Sequence, residues 1–144
     1  MFRGRYVHAI DPKGRLSIPS RFRETLRDRY DSRLVVTSYD GCLLAYPSAE
    51  WQILEEKVEQ LPSFNKDTKA FLRFFYSGAT DCPIDKLGRI LVPQELRGCA
   101  KLDKDVVVVG AFKRIEIWDK TEWARVEAET PKEDLVATLE RLGL

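Results

Sequence analysis

Histidine is almost absent from this chain: His8 is the only one, and it falls in a stretch that alternates like a strand. The sequence also lacks a nucleophile elbow, a glycine-rich phosphate loop and a carboxylate dyad, so it offers no acid–base or nucleophilic machinery. Cysteine is scarce. Cys42, Cys82 and Cys99 are odd in number and lack metal-ligand spacing, so they read as free thiols filling small apolar sites in a reducing compartment. No metal and no cofactor is expected. No apolar run approaches the roughly 18 residues that span a bilayer, and the opening Met-Phe-Arg-Gly-Arg-Tyr lacks the apolar stretch of a signal peptide. No linker is rich in glycine or serine. These absences predict a soluble cytoplasmic protein that packs as one unit and is not an enzyme, with neither a membrane nor a small-molecule substrate as partner.

What is present is a well-charged chain with enough apolar residues for a core. Of its 144 residues, 44% are hydrophobic and 33% charged, which suits one ordinary domain or two small ones sharing a core. The net charge of +1 is spread unevenly, because residues 1–33 hold nine bases against four acids while the remainder is acidic on balance. A basic end can present a local patch to phosphate. For part of it, notably Arg23, Arg27 and Arg29, a solvated helix face with i,i+4 pairs is the alternative.

A repeat organises the chain. Residues 10–23 read IDPKGRLSIPSRFR and residues 84–97 read IDKLGRILVPQELR, with six identities in register: Ile10/Ile84, Asp11/Asp85, Gly14/Gly88, Arg15/Arg89, Pro19/Pro93 and Arg23/Arg97. Further on, Tyr46 aligns with Trp118, Glu50 with Glu122 and Trp51 with Trp123. Each copy follows one plan. A short strand (6–10; about 80–84) meets an Asp-x-x-Gly turn, and a second strand follows (15–18; 89–92). Proline then opens a short helix in its first turn, with Gly98 placed as the residue that ends the second copy's helix. A hairpin completes each copy, 34–38 with 42–46 around Asp40-Gly41, and 106–109 with 114–118. Helices are expected over 48–61 and 66–76, and again as a pair at the C-terminal end. Phe71, Leu72, Phe74, Phe75 and Tyr76 exceed what one helix face needs, and either another subunit or the same chain covers the surplus. The predicted organisation is module one at 5–47, a helical connector at 48–76, module two at 77–119 and C-terminal helices at 120–144.

The doubled Asp-x-x-Gly-Arg carries the chemistry. Asp11-Pro12-Lys13-Gly14 has the residues of a type I turn, with glycine supplying positive φ where the strand resumes. The aspartate can accept bonds from turn amides. A hairpin does not need the arginines that follow, Arg15 and Arg89. Either each pairs with its aspartate across the turn, or the aspartate orients the guanidinium outward toward phosphate or guanine. The two readings are compatible.

With the opening Met-Phe-x-Gly, the doubled Asp-x-x-Gly-Arg followed by proline, and the stretch Phe71-Leu72-Arg73-Phe74-Phe75-Tyr76-Ser77-Gly78-Ala79, the whole chain resembles the MraZ family. That resemblance implies a bacterial regulator encoded with cell-division and cell-wall genes. It implies a fold of two tandem AbrB-like modules, α+β and β-rich, interleaved as a pseudo-symmetric swapped-hairpin β-barrel with flanking helices. The family signature Asp-x-x-x-Arg maps onto Asp11/Arg15 and Asp85/Arg89. Sequence-specific binding of double-stranded DNA at short direct repeats in the promoter of its own operon, a ring-shaped homo-oligomer and nucleoid association are implied as well. The candidate DNA contacts are Arg3, Arg5, Asp11, Lys13, Arg15, Asp85, Lys86 and Arg89. In the second turn Leu87 replaces Lys13, with Lys86 next to it, so the two turns need not contact DNA equally. The competing function is an AbrB-like protein-interaction module of the antitoxin type.

Overall fold

The computed structural model describes residues 1–144. Turn chemistry sets its strand plan. β1 (Arg5–Ala9) runs into the Asp11–Gly14 turn, where Gly14 takes φ +94°, and β2 (Arg15–Ser17) follows. α1 (Ser20–Arg29) leads to the hairpin of β3 (Arg33–Tyr39) and β4 (Cys42–Pro47). Asp40 and Gly41 both take positive φ at its tip, the geometry that matches the twist of a tight hairpin. α2 (Ser48–Val58) and α3 (Lys66–Phe71) close the first half. The second half repeats the order with β5 (Thr80–Pro83), β6 (Arg89–Leu91), α4 (Gln94–Cys99), β7 (Asp105–Ala111), β8 (Arg114–Asp119), α5 (Lys120–Glu129) and α6 (Lys132–Arg141).

The fold is α+β and β-rich. Six strands form one antiparallel sheet in the order β1-β7-β8-β4-β3-β5, and β2 pairs with β6 in a separate two-stranded ribbon. The halves exchange partners: β1 pairs with β7 of the other half, while β5 pairs with β3. The expected barrel does not close. β1 and β5 are free edges of the main sheet, because each glycine turn redirects the chain so that β2 and β6 meet each other. Pro83 ends β5, as befits an edge strand that donates to no further neighbour.

One contiguous core results from the exchange. Leu16, Ile18, Ile90 and Val92 from the ribbon side meet Leu34, Val36, Val106, Val108, Ile115 and Ile117 from the sheet. Phe22, Leu26 and Leu96 from the helices and Phe2 from the N-terminal segment seal it. Phe2 bridges to Phe112 and packs on Phe22 and Tyr30, so the opening Met-Phe-Arg-Gly extends the β1 edge. On the sheet's other face, Trp51 tilts against Tyr46 and Trp123 against Trp118 at the same interplanar angle of 59°. The aligned aromatics of the two halves are thus structural equivalents.

Three local expectations are corrected. Pro19 and Pro93 stand at the N-cap with extended ψ (139° and 149°), one position before the first helical turn, because proline's fixed φ also fits an extended entry residue. Gly98 lies inside α4, and Lys101, with φ +54°, makes the left-handed exit. The helix expected over 66–76 changes register: Leu72–Tyr76 is a π turn, and the Thr37 hydroxyl donates to the Phe75 carbonyl at 2.7 Å. The thiols divide as well. Cys42 and Cys82 are buried, as expected, but Cys99 is exposed. No helix is long and apolar enough to cross a membrane.

Candidate nucleic-acid interface

Both Asp-x-x-Gly-Arg turns are built alike, and each bond follows from the spacing. Asp11 Oδ1 accepts from the amides of Lys13 (3.0 Å) and Arg15 (2.8 Å), and Oδ2 accepts from Arg15 Nε at 2.5 Å. Asp85 Oδ1 accepts from Leu87 and Arg89, both at 2.9 Å, and Oδ2 accepts from Arg89 Nε at 3.1 Å. The Gly14 and Gly88 amides return to the Asp11 and Asp85 carbonyls. Both aspartates are held below the usual carboxylate range, first by the amide of the arginine four residues on and further by its guanidinium. The aspartates are therefore ionised near neutral pH. The ion pair is formed in both turns and leaves room for an orienting role, since only Nε is engaged and the terminal nitrogens of Arg15 and Arg89 donate to no protein group.

The ribbon brings the two arginines together. Arg15 faces Leu91, Leu16 faces Ile90 and Ser17 faces Arg89. Leu16 and Ile90 point into the core, and strand alternation turns Arg15, Ser17, Arg89 and Leu91 outward. Arg15 and Arg89 are diagonal neighbours, about 7–8 Å apart at Cα. A two-stranded ribbon of this kind fits a DNA major groove, about 12 Å wide. Lys13 and Lys86 extend exposed from the turn tips.

Arginines outside the candidate set brace this face across the repeat. Arg97 Nε donates to the Val92 carbonyl (3.1 Å) and its Nη1 to the Pro12 carbonyl of the opposite turn (3.1 Å). Arg23 Nε donates to the Ile18 carbonyl at 3.0 Å, and its guanidinium lies over Gly88. The Gly14 and Gly88 carbonyls in turn accept from the Val92 and Ile18 amides. The solvated-face alternative thus does not hold for Arg23. The signal that could have found this role was its identity with Arg97 in the repeat.

Arg3 and Arg5 are not gathered with the turns. Arg5 begins β1, at the end remote from Asp11, where it pairs with Glu127 at 2.7 Å and lies over the Trp123 ring. Arg3 lines a recess with Arg21, Glu24 and Thr25. His8 is pushed below its ordinary value by burial and then by the Arg23 charge, so it is neutral at pH 7.

Comparison with known proteins finds the same family in both halves of the chain. The family model described as "MraZ protein, putative antitoxin-like" matches twice, over residues 1–74 and 75–144. A protein of Desulforamulus reducens named "Transcriptional regulator MraZ" is 53% identical over 129 residues, covering 90% of this chain and 89% of its own length. Proteins of the same name from Alkaliphilus metalliredigens (45% identical) and Pediococcus pentosaceus (46% identical) each align over 100% of both chains.

Proposed function

The chain belongs to the MraZ family, and from that premise we propose that it is a sequence-specific DNA-binding transcriptional regulator. Its relatives are named as regulators and not as enzymes. The observation that carries the reading is the outward face of β2 and β6, with two arginines anchored by Nε and free at their terminal nitrogens. Asp11, Arg15, Asp85 and Arg89 form its centre, Lys13 and Lys86 add phosphate contacts, and Arg3 and Arg5 take a peripheral part. The exchange of β1 and β5 between halves supports naming the fold a swapped-hairpin pair, with modules at 5–47 and 77–119. Control of its own promoter, and nucleoid association, are parts of the same proposal. The test is a salt-titrated binding assay on the chain and on Arg15→Ala/Arg89→Ala. Binding should fall steeply with salt. The double variant should lose specific binding, each base contact being worth about 1–3 kcal/mol, with little change in Tm. A variant that unfolds early yet still binds would reduce the arginines to turn struts.

Self-assembly into a head-to-tail ring is the second part of the proposal. Two unlike apolar surfaces support it. One is a groove of about 870 Å³ lined by Tyr39, Leu44, Phe71, Phe74 and Phe75, with Phe74 77% exposed. The other is α6, whose Leu135, Val136 and Leu139 share a stripe that its own chain leaves largely uncovered. Lys66, Lys69 and Arg73 line an adjoining recess that shares Phe74 with the groove, and Glu133, Asp134 and Glu140 lie on α6. Contacts between unlike surfaces propagate head to tail and close into rings, and a ring suits direct repeats about 10–10.5 bp apart. Native mass measurement on Leu139→Asp should show loss of the oligomer. Inserting about 5 bp between two repeats should abolish cooperative binding; indifference to that change would refute the ring. An interaction module of antitoxin type is the alternative to DNA binding, suggested by the family description, and it would show no steep salt dependence.

A further inference from the structure

The repeat makes the ribbon two-fold in its backbone but not in its side chains. Where Arg15 has Leu91 across the strands, Arg89 has Ser17. Leu91 is 59% exposed, on the face that carries both arginines and opposite the face that Leu16 and Ile90 commit to the core. The turn tips break the symmetry too, with Lys13 at one end and the exposed Leu87 at the other. One end therefore presents Lys13, Arg15 and Leu91. The other presents Lys86, Leu87, Arg89 and Ser17.

Single exposed leucines are ordinary on protein surfaces, but the surroundings of Leu91 are not. It stands directly across from a guanidinium whose Nε is fixed and whose terminal nitrogens are free. Directly paired residues on antiparallel strands have Cβ atoms about 4.5–5.5 Å apart, a separation that spans neighbouring base pairs. In the major groove an arginine fork matches guanine O6 and N7, and an apolar side chain matches the thymine methyl. A serine hydroxyl is far less selective, since it both donates and accepts.

Resting on the DNA-binding reading, we infer that Leu91 is a specificity-determining residue that packs on the 5-methyl group of a thymine next to the base pair held by Arg15. Ser17, at the equivalent place beside Arg89, makes no such demand. One end of the ribbon thus requires a thymine and the other does not, and each protomer acquires a fixed direction on DNA. A binding site for one protomer is accordingly non-palindromic despite the two-fold backbone.

The experiment uses the full chain. Binding sites are selected from a random duplex library, and each thymine of the preferred site is replaced singly by deoxyuridine, which removes only the methyl. At one thymine per protomer, affinity should drop about fourfold, the worth of one buried methyl group. The same replacement should have no effect on Leu91→Ala. Dependence on no thymine methyl, or dependence that persists in Leu91→Ala, overturns the inference and leaves DNA binding standing. Failure to select any duplex overturns the DNA-binding reading and this inference together.

Discussion

Gly14 and Gly88 occupy the same place in the repeat and both take positive φ, yet replacing them with alanine should have unequal consequences. A Cβ on Gly14 would lie 2.4 Å from the Val92 carbonyl oxygen, a backbone atom that also accepts from Arg97. On Gly88 the nearest atoms are Arg23 Nη1 at 2.7 Å and Cδ at 2.9 Å, side-chain atoms that can move once Arg23 gives up its bond to the Ile18 carbonyl. Both variants bear left-handed strain of about 1–2 kcal/mol. Gly14→Ala adds the cost of forcing a packed backbone apart, about 1–3 kcal/mol, and so totals about 2–5 kcal/mol. The backbones at Gly14 and Val92 are joined by a hydrogen bond of 2.8 Å, so the displacement should open the β2–β6 ribbon at that end. Urea unfolding should give a clearly lower midpoint for Gly14→Ala than for Gly88→Ala with similar slopes, and DNA binding should fail first in Gly14→Ala. Equal losses in the two variants would refute the asymmetric contact between the turns.

Acid should reach the turns through their aspartates. Asp11 and Asp85 have folded values below the ordinary one, so their contribution is complete above the unfolded pKa, near 4, and is lost as pH falls through the depressed folded values. Tm measured downward from pH 6 should therefore fall below about pH 4, and Asp11→Asn/Asp85→Asn should flatten that part of the curve. Thiol reactivity should divide as burial does. Burial pushes Cys42 up to about 12 and Cys82 to about 11, so a thiol reagent should modify Cys99 ahead of the other two, faster in Leu139→Asp because Cys99 lines the groove assigned to the neighbouring protomer, and all three cysteines after denaturation. Rapid native reaction of Cys42 would show that the sheet opens on its outer side.

The order of elements was legible because period and punctuation agree in each half. Alternation marks β2 and β6, apolar runs mark β3 and β7, Asp40-Gly41 marks a hairpin, and two identical turn signatures mark the repeat. What the sequence could not reveal lies between the copies. Nothing local tells β1 to pair with β7 and not with β3, because both partners are equally apolar runs of Val and Leu. Pairing choice is a property of the assembled core. The same limit hid the braces. Arg23 and Arg97 look like helix-surface cations, and only tertiary geometry places one over Gly88 and the other on the Pro12 carbonyl. It also separated Arg5 from the turns it was grouped with, since charge along a sequence says nothing about which end of a strand faces α5.

Pseudo-symmetry then explains why the candidate site is both legible and incomplete. A turn that must hold an arginine by its Nε needs Asp, Gly and Arg at fixed offsets, so both copies retain all three. Positions that the backbone does not constrain are free to diverge, and they do: Lys13 against Leu87, Ser17 against Leu91. The outer faces of the halves diverge likewise. The helix after α2 turns back onto the sheet through Thr37 and Phe75, whereas α6 leaves most of its apolar stripe open. Identity between the copies therefore marks what each turn needs in order to hold its arginine. Difference between them marks positions that a partner is free to shape, and on the proposed reading the ribbon's partner is a duplex whose two ends are unlike.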